Sequence, residues 1–372
     1  MDLAFSDEQE ALGRLARDIF DGHVTSDRLK EVEAGPERFD RALWAELARS
    51  NLLGAGIPEA HGGIGGGVIE VCLLLEQAGA AVAPVALWPA LALGALPLAR
   101  FGSAEQQAAL LPRVASGDAV LSSALNEPNA DDPLRPATEA TWEGDAWRLE
   151  GVKTSVPAAH VAERVLVPAS TENGSGVFLL DPRAGGVVAE QQRGTGGEIL
   201  SRLELDGAAV PEADVLVEPG TDATALSWML DVALVGICAM QVGLAERALK
   251  MTAEYLSNRE QFGRPLAKFQ AVQQRAADAY IDVEAMRWTT WQAAWRLSED
   301  LPATDEVAIA KYWASEGSHR VLAAAQHLHG GVGVDIEYPL HRYTLSSKQL
   351  ELTLGGATQH LARLGDSMAE AR

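Results

Sequence analysis

From Pro219 onward the chain keeps a helical apolar period almost to its end, and that persistence restricts the fold more than any other feature. Leu230, Leu234, Ile237, Gln241, Leu244, Ala248 and Met251 mark one face of a first long helix. A second runs from about Phe269 to Ser298 and a third from Asp305 to His329, closed by the turn His329-Gly330-Gly331-Val332-Gly333. The segment EYPLHRY, Glu337 to Tyr343, and a final helical tail follow. Long helices with short links pack antiparallel, so the pattern predicts a four-helix bundle over residues 219–372.

The first of those links is Ser257–Gln274, SNREQFGRPLAKFQAVQQ. Arg259 offers a planar fork of donors suited to phosphate or pyrophosphate. Phe262 and Phe269 supply flat apolar surface, and Gly263 lets the backbone turn between helices. Taken alone the stretch reads as a polar helix–helix turn. A clamp for a nucleotide cofactor is the alternative, and the rest of the chain decides between them.

At the other end, Ser6-Asp7-Glu8-Gln9 has the form of a capping box, followed by Leu12, Leu15, Ala16 and Ile19 at helical spacing. Helical patterns continue through Arg41–Leu53 and Val68–Gly79, and Gln106–Ser116 ends an N-terminal helical domain assigned to residues 1–118. Between them IPEAHGGIGGG, Ile57–Gly67, is a glycine-rich loop. No strand precedes it and its spacing is wrong for a dinucleotide fingerprint. Gly79–Ala99 is apolar throughout, but Pro84, Pro89 and Pro97 interrupt it, which favours short helices packed in a core over a membrane span.

From about Val120 the pattern shortens. Val120–Leu125, Ala140–Val152, Arg164–Pro168 and Val177–Asp181 read as strands, punctuated by Glu143-Gly144-Asp145 and Asn173-Gly174. Leu203–Val217, LELDGAAVPEADVLV, adds a strand, a turn and a loop. Residues 119–218 therefore form a small antiparallel β-domain, and the fold class is α+β in the order helices, sheet, helices.

The 372 residues carry a net charge of −22, which disfavours nucleic acid and anionic membrane as partners. Cys72 and Cys238 each lie in an apolar helical pattern. They read as buried packing residues of a protein in a reducing compartment rather than as a disulfide or metal pair. With no basic leader at the start, a cytoplasmic location is expected.

That order of elements, with FSDEQ near the start, IPEAHGG at 57–63, FGSAEQ at 101–106, NEP at 126–128, DGAAVP at 206–211, NREQFGRPLAKFQAVQ at 258–273, LHGGVG at 328–333 and EYPLHR at 337–342, resembles the acyl-CoA dehydrogenase family. The resemblance covers essentially the whole chain. It implies FAD as cofactor, an acyl-CoA thioester as substrate and electron-transfer flavoprotein as acceptor. In that family FAD lies between subunits: one chain's β-domain holds the isoalloxazine, while the neighbour's C-terminal domain holds the pyrophosphate and adenosine. A glutamate takes the weakly acidic α-proton, and hydrogen bonds on the thioester oxygen support enolate character.

Carried over position by position, the two halves of such a site differ here. The family's C-terminal glutamate falls on Leu354 or Gly355, and the alternative base on the first long C-terminal helix falls on Ala233, beside Leu234. None of these takes a proton. Asp231 and Glu351 lie nearby, and both read as surface or capping charges. The family's small flavin loop is replaced by Asn126-Glu-Pro-Asn-Ala-Asp-Asp-Pro133, with Asp131 and Asp132 unfavourable to a phosphate. The aromatic cover of the flavin falls on Ser155-Val156-Pro157, and Pro157 has no N–H to offer. The isoalloxazine half and the acyl-CoA pocket thus read as degraded.

The adenosine half keeps its residue types and spacing in Arg259, Gln261, Phe262, Leu266, Phe269, Gln270, His327, Leu328, Gly330 and Gly331, with His329 as a further candidate or a plain helix-terminal histidine. The resemblance implies the subunit without catalytic glutamate of a heteromeric, α2β2 acyl-CoA dehydrogenase, like those of actinobacterial steroid side-chain degradation. Its partner is then a homologous subunit that supplies the base. Two rivals stand beside this reading. One is a self-sufficient homotetrameric dehydrogenase or oxidase with its base moved to Glu351 or Asp231. The other is a flavin-free scaffold on the same fold.

Overall fold

The computed structural model describes residues 4–130, 132–221 and 224–370, so Asp131 lies outside the described residues. Helix α1, Asp7–His23, opens as its sequence dictates. Ser6 Oγ accepts from the Gln9 amide at 3.2 Å, and the Gln9 side chain returns a bond to the Ser6 amide at 3.0 Å. Helices α2, Ser26–Ala34, and α3, Arg41–Arg49, follow; Asp40 caps α3 and receives two bonds from Arg28, each 2.7 Å. IPEAHGG is a compact loop around a short turn at Glu59–His61. A Cβ on Gly63 would lie 1.9 Å from the Ile57 carbonyl oxygen, so only glycine fits there.

Helix α4 spans Val68–Ala81. The proline-broken apolar run then becomes a wholly buried π-helical segment, Trp88–Ala95, leading into α5, Leu96–Phe101, whose first half is buried. Helix α6, Ala104–Ala115, begins with a second capping box at Ser103.

Eight strands follow: β1 Leu121–Ser123, β2 Glu139–Glu143, β3 Ala146–Pro157, β4 Arg164–Thr171, β5 Gly174–Leu180, β6 Val187–Arg193, β7 Ile199–Pro211 and β8 Val215–Val217. They form one sheet in the order β6-β7-β3-β2-β4-β5-β8, with β1 beside β4. The sheet departs from the expected purely antiparallel one, because β1 and β2 pair with β4 in parallel. Strand β6 was invisible in the sequence, since VVAEQQR is almost entirely exposed and lacks alternation. Strand β7 runs 13 residues straight through Asp206-Gly207, where a turn was expected. Gly207 at φ +65° forms an irregularity opposite Leu149–Gly151 instead of a reversal.

The C-terminal helices are α7 Ala225–Asn258, α8 Gln270–Ser298, α9 Thr304–His329, α10 Leu340–Leu352 and α11 Ala357–Glu370, with a hairpin of β9, Glu260–Gln261, and β10, Arg264–Pro265, between α7 and α8. Among the described residues α7 alone is long and apolar enough to cross a membrane, yet 89% of its apolar 18-residue stretch is buried inside the protein. It is a core helix. A Cβ at Gly243 would sit 1.8 Å from the Glu76 carbonyl oxygen, and one at Gly79 would sit 2.1 Å from that of Met240. These two glycines let α4 and α7 touch backbone to backbone. Arg287 of α8 ties the same pair of helices together through Glu76 at 2.6 Å and Glu246 at 2.9 Å. Cys72 and Cys238 are buried free thiols, both raised by burial.

Candidate functional site

Arg259 is the first residue after α7. Its amide donates to the Tyr255 carbonyl and its own carbonyl accepts from Leu266, both at 2.9 Å, which closes the β9–β10 hairpin onto the helix end. The hairpin turns at Phe262 and Gly263, with φ of +55° and +75°. Phe262 is 90% exposed, a large cost in water for an aromatic ring. It meets Phe269 edge-on at 6.2 Å, and the Arg264 guanidinium lies 4.1 Å over Phe269. Leu266 is half-buried behind them, Gln261 donates to the Glu260 carbonyl, and exposed Gln270 opens α8. Among the described residues the Arg259 guanidinium takes part in no ion pair. Arg259 follows directly on the last turn of α7.

His327, exposed, and Leu328, half-buried, lie in the last turn of α9. Past them the backbone at Gly330, with φ +61°, and at Gly331 is open: a Cβ on either would meet nothing within 4 Å. His329 corrects the expectation of a possible cofactor contact. It is buried, its Nδ1 faces the Ala325 carbonyl at 2.8 Å, its Nε2 faces the Tyr338 hydroxyl at 3.1 Å, and burial lowers its pKa. Both nitrogens are spent within the fold. The structure thus brings residues 259–270 and 327–331 to one end of the bundle, with open backbone, an unpaired arginine and exposed aromatic surface. Such a surface suits a pyrophosphate with an attached ring.

The other candidate region is a cavity of about 380 Å³ where the N-terminal helices, the sheet and the C-terminal helices meet. Leu87 and Trp88, Met240 and Leu244, and Leu350 and Leu352 give it apolar walls, and Asn126, Ser155 and Pro157 reach it from the sheet. No base stands at the two places where one was sought. The Leu354 side chain, at φ +56°, turns into the main core, and Gly355 carries φ +100°. Ala233 is fully buried and its carbonyl accepts from the Trp88 indole at 3.0 Å, with buried Leu234 beside it.

The two displaced carboxylates do not line this cavity either. Asp231 is not the surface charge expected: it is 6% exposed, accepts from the Thr304 hydroxyl at 2.8 Å, and is pushed up to about 6 by burial. Glu351 pairs with Lys348 at 2.5 Å. The turn behind it is clamped by fully buried Lys311, whose Nζ donates to the Leu350 and Glu351 carbonyls at 2.8 and 3.0 Å and to Ser315 at 3.1 Å. Burial holds that ammonium down to about 8.

In the loop after β1, Glu127 of the NEP motif is structural. Its carboxylate accepts from the amides of Ala137 and Thr138 and from Lys153 Nζ at 2.6 Å, and Lys153 also reaches the Pro168 carbonyl at 2.7 Å. Burial alone would raise the Glu127 carboxyl; Lys153 and the two amides hold it below its ordinary value. Asp132 is shared between Arg363 at 3.2 Å and Arg135 at 3.7 Å, so its charge does not stand free over the loop.

The polar groups of the cavity escaped sequence reading, because nothing in their spacing marks them. Glu33 is bound by Arg342 at 2.6 and 2.8 Å, and Glu37 by Arg41 at 2.9 Å. Glu198, in the loop before β7, has no cation at hydrogen-bond distance among the described residues, and burial raises its pKa. A larger and more polar hollow of about 620 Å³ lies on the far side of Arg342 and has Arg259 at its margin.

Comparison with known proteins places these features among relatives. The family models "Acyl-CoA dehydrogenase, N-terminal domain" and "Acyl-CoA dehydrogenase, C-terminal domain" match residues 6–118 and 223–368. The chain is 41% identical to acyl-CoA dehydrogenase FadE27 of Mycobacterium tuberculosis over all of this chain and 99% of that protein. Among solved structures, the ChsE4–ChsE5 complex from Mycobacterium tuberculosis superposes with a TM-score of 0.94 at 41% identity, covering 100% of this chain and 99% of that one. A variant of the Tcur3481–Tcur3483 steroid ACAD does so with a TM-score of 0.92 at 46% identity, covering 98% of each.

Proposed function

Because this chain belongs to the acyl-CoA dehydrogenase family, we propose that it is the non-catalytic subunit of a heteromeric, cytoplasmic FAD-dependent acyl-CoA dehydrogenase. A homologous partner then supplies the base, the isoalloxazine pocket and the acyl-CoA site, and electron-transfer flavoprotein is the acceptor. This chain holds the cofactor's adenosine and pyrophosphate end through Arg259, Gln261, Phe262, Leu266, Phe269, Gln270, His327, Leu328, Gly330 and Gly331. When bound, FAD takes the hydride. The role of these residues is to grip and orient it.

The observation that carries this reading is the placement of Leu354 and Gly355: a leucine packed into the core and a left-handed glycine where a carboxylate is required. Similarity to two-component assemblies, one of them a steroid ACAD, supports a heteromer and a bulky steroid-CoA substrate. Flavin counting after co-purification with the product of an adjacent homologous gene tests it. One FAD per pair of unlike chains is expected; one per chain sinks the proposal.

A second reading has one observation in its favour. Glu198 lines the cavity with a carboxyl raised by burial, which is the environment of a general base. A self-sufficient enzyme built on it would be a yellow homotetramer when expressed alone, and Glu198→Gln would abolish its turnover.

A further inference from the structure

The backbone between His329 and Tyr338 turns on itself with little burial to hold it. Val332, Val334 and Ile336 are exposed, and within Gly330–Val334 only Gly333 is buried, where a Cβ would lie 2.8 Å from the Gln326 carbonyl oxygen. Apolar side chains left in water contribute nothing to closing a loop. An ion pair of Lys30 with Glu337 reaches it from α2, but both partners are exposed, where such pairs are worth little. The bond that joins the two ends of the loop runs between side chains: the Tyr338 hydroxyl faces His329 Nε2 at 3.1 Å.

That bond has a fixed direction. His329 Nδ1 lies 2.8 Å from the Ala325 carbonyl oxygen, which only accepts, so Nδ1 carries the hydrogen. Nε2 is then a lone pair, and the Tyr338 hydroxyl donates to it. Burial, Tyr255 and Glu254 all raise the Tyr338 pKa, so the hydroxyl keeps its hydrogen. The Tyr338 ring also lies edge-on to Tyr255 at 6.5 Å, which completes a cluster of three rings. Protonation of His329 replaces the lone pair with a second donor aimed at a donor. The other ionisable groups at hand do not stand in for it. His341 Nδ1 donates to the Tyr338 carbonyl at 2.7 Å in either charge state, and among the described residues Glu254, His327, Asp335 and Glu337 make no bond to the His329 ring.

We propose that Tyr338 is a positioning residue for the cofactor grip: its bond to His329 holds closed the loop that begins with Gly330 and Gly331, and protonation of His329 releases it. This rests on the reading that Gly330 and Gly331 meet the pyrophosphate. A Cβ on either glycine would touch nothing within 4 Å, so neither is wedged in place by its surroundings, and the tie across the loop sets their geometry. Burial lowers the His329 pKa from 6.5, so the pinned loop binds a proton less tightly than a released one. The pinned state is therefore fully favoured above pH 6.5 and loses ground as pH falls through the lowered value.

Hydrogen exchange of the purified full chain at about pH 8 and about pH 5.5, each rate corrected for the intrinsic effect of pH, tests the tie. The reporters are the amides of Asp335 and Tyr338, which donate to the Val332 and Asp335 carbonyls. Their protection should fall about tenfold at the lower pH. Tyr338→Phe should show the low protection at both pH values. His329→Gln, which keeps an acceptor but takes no proton, should keep the high protection at both. FAD release from the mixed complex should follow: about tenfold faster at the lower pH for the unaltered chain, fast at both for Tyr338→Phe and slow at both for His329→Gln. Protection independent of pH in the unaltered chain, unchanged protection in Tyr338→Phe, or a pH response that survives in His329→Gln overturns the proposal. Flavin release that ignores a pH response of the loop overturns it too. A mixed complex that binds no FAD fails the cofactor reading instead, and exchange in the free chain still decides the tie.

Discussion

The ring of Tyr255 stacks on that of His329 with centroids 4.4 Å apart, and this pair fastens the end of α7 to the end of α9. Arg259 follows one turn after Tyr255, and Gly330 follows His329 directly, so the stack sets the spacing between the two halves of the proposed cofactor surface. Tyr255→Ala removes the stack and a half-buried ring. The expected loss is about 1–2 kcal/mol of stability. The FAD content of the mixed complex should fall with it, while Tyr255→Phe should leave both unchanged. Absorbance per protein after gel filtration measures the first, and a thermal melt the second.

Arg259 carries the more direct test. Its guanidinium has no internal partner among the described residues, so Arg259→Ala costs the fold little. Loss of one charge-assisted, bidentate contact to a pyrophosphate is worth about 1.5–3 kcal/mol, or roughly ten- to a hundredfold in cofactor affinity. The complex should therefore bleach on dilution while melting normally once resupplied with FAD. A complex that stays yellow would remove Arg259 from the site.

Much of this architecture was legible because it follows from periodicity. The long helices declared themselves through apolar repeats, and Ser6 through a capping box that the structure reproduces. Strand β6 was not legible, because an exposed edge strand such as Val187–Arg193 has no apolar face to alternate. Asp231 was misread for a related reason: a single acid in an apolar run reads as an intruder pointing outward, and only packing reveals Thr304 across from it. The cavity wall is assembled from segments far apart in sequence, from Leu29 to Thr353, so no local pattern foreshadows His160 lining the same space as Arg342.

The Glu127–Lys153 pair should be strongly asymmetric to mutation. Both side chains are buried, at 4% and 1% exposure, and each is held by backbone groups as well as by the other. Lys153→Met leaves an uncompensated carboxylate in the sheet's interior, which costs about 3–5 kcal/mol. Adding Glu127→Gln recovers part of that, because the neutral amide retains an acceptor for the Thr138 amide. Chemical denaturation of the two variants gives the comparison, and a double variant no better than the single one would contradict it.

Asp231 gives the chain a pH-dependent weakness of predictable sign. Its pKa is raised from 3.8 to about 6, so the folded state binds the proton more tightly than the unfolded one. The associated stability is fully present below pH 3.8, is lost as pH rises through about 6, and is absent above it. Asp231→Asn keeps an acceptor for Thr304 without the buried charge. It should raise stability by on the order of 2–3 kcal/mol above the folded pKa. The gain should vanish below the unfolded one. Melting curves across that window check it, and a gain independent of pH would rule out the titration as its cause.

Gly355 separates structure from chemistry at one of the two positions, with Leu354, onto which the resemblance carries the family's base. Its φ of +100° disfavours any side chain, and a Cβ would lie 3.0 Å from Gln359 Oε1 and 3.1 Å from His360 Nε2. Gly355→Ala should therefore cost about 1–2 kcal/mol of stability through backbone strain. If proton abstraction belongs to the partner, the same substitution leaves turnover of the complex within about twofold, far short of the loss of about a hundredfold or more that removing a general base brings. Lys311 and His360 support this expectation, because they hold the turn through the carbonyls of Leu350, Glu351 and Leu354. A large drop in kcat with an unchanged melting temperature would place this turn in the reaction after all.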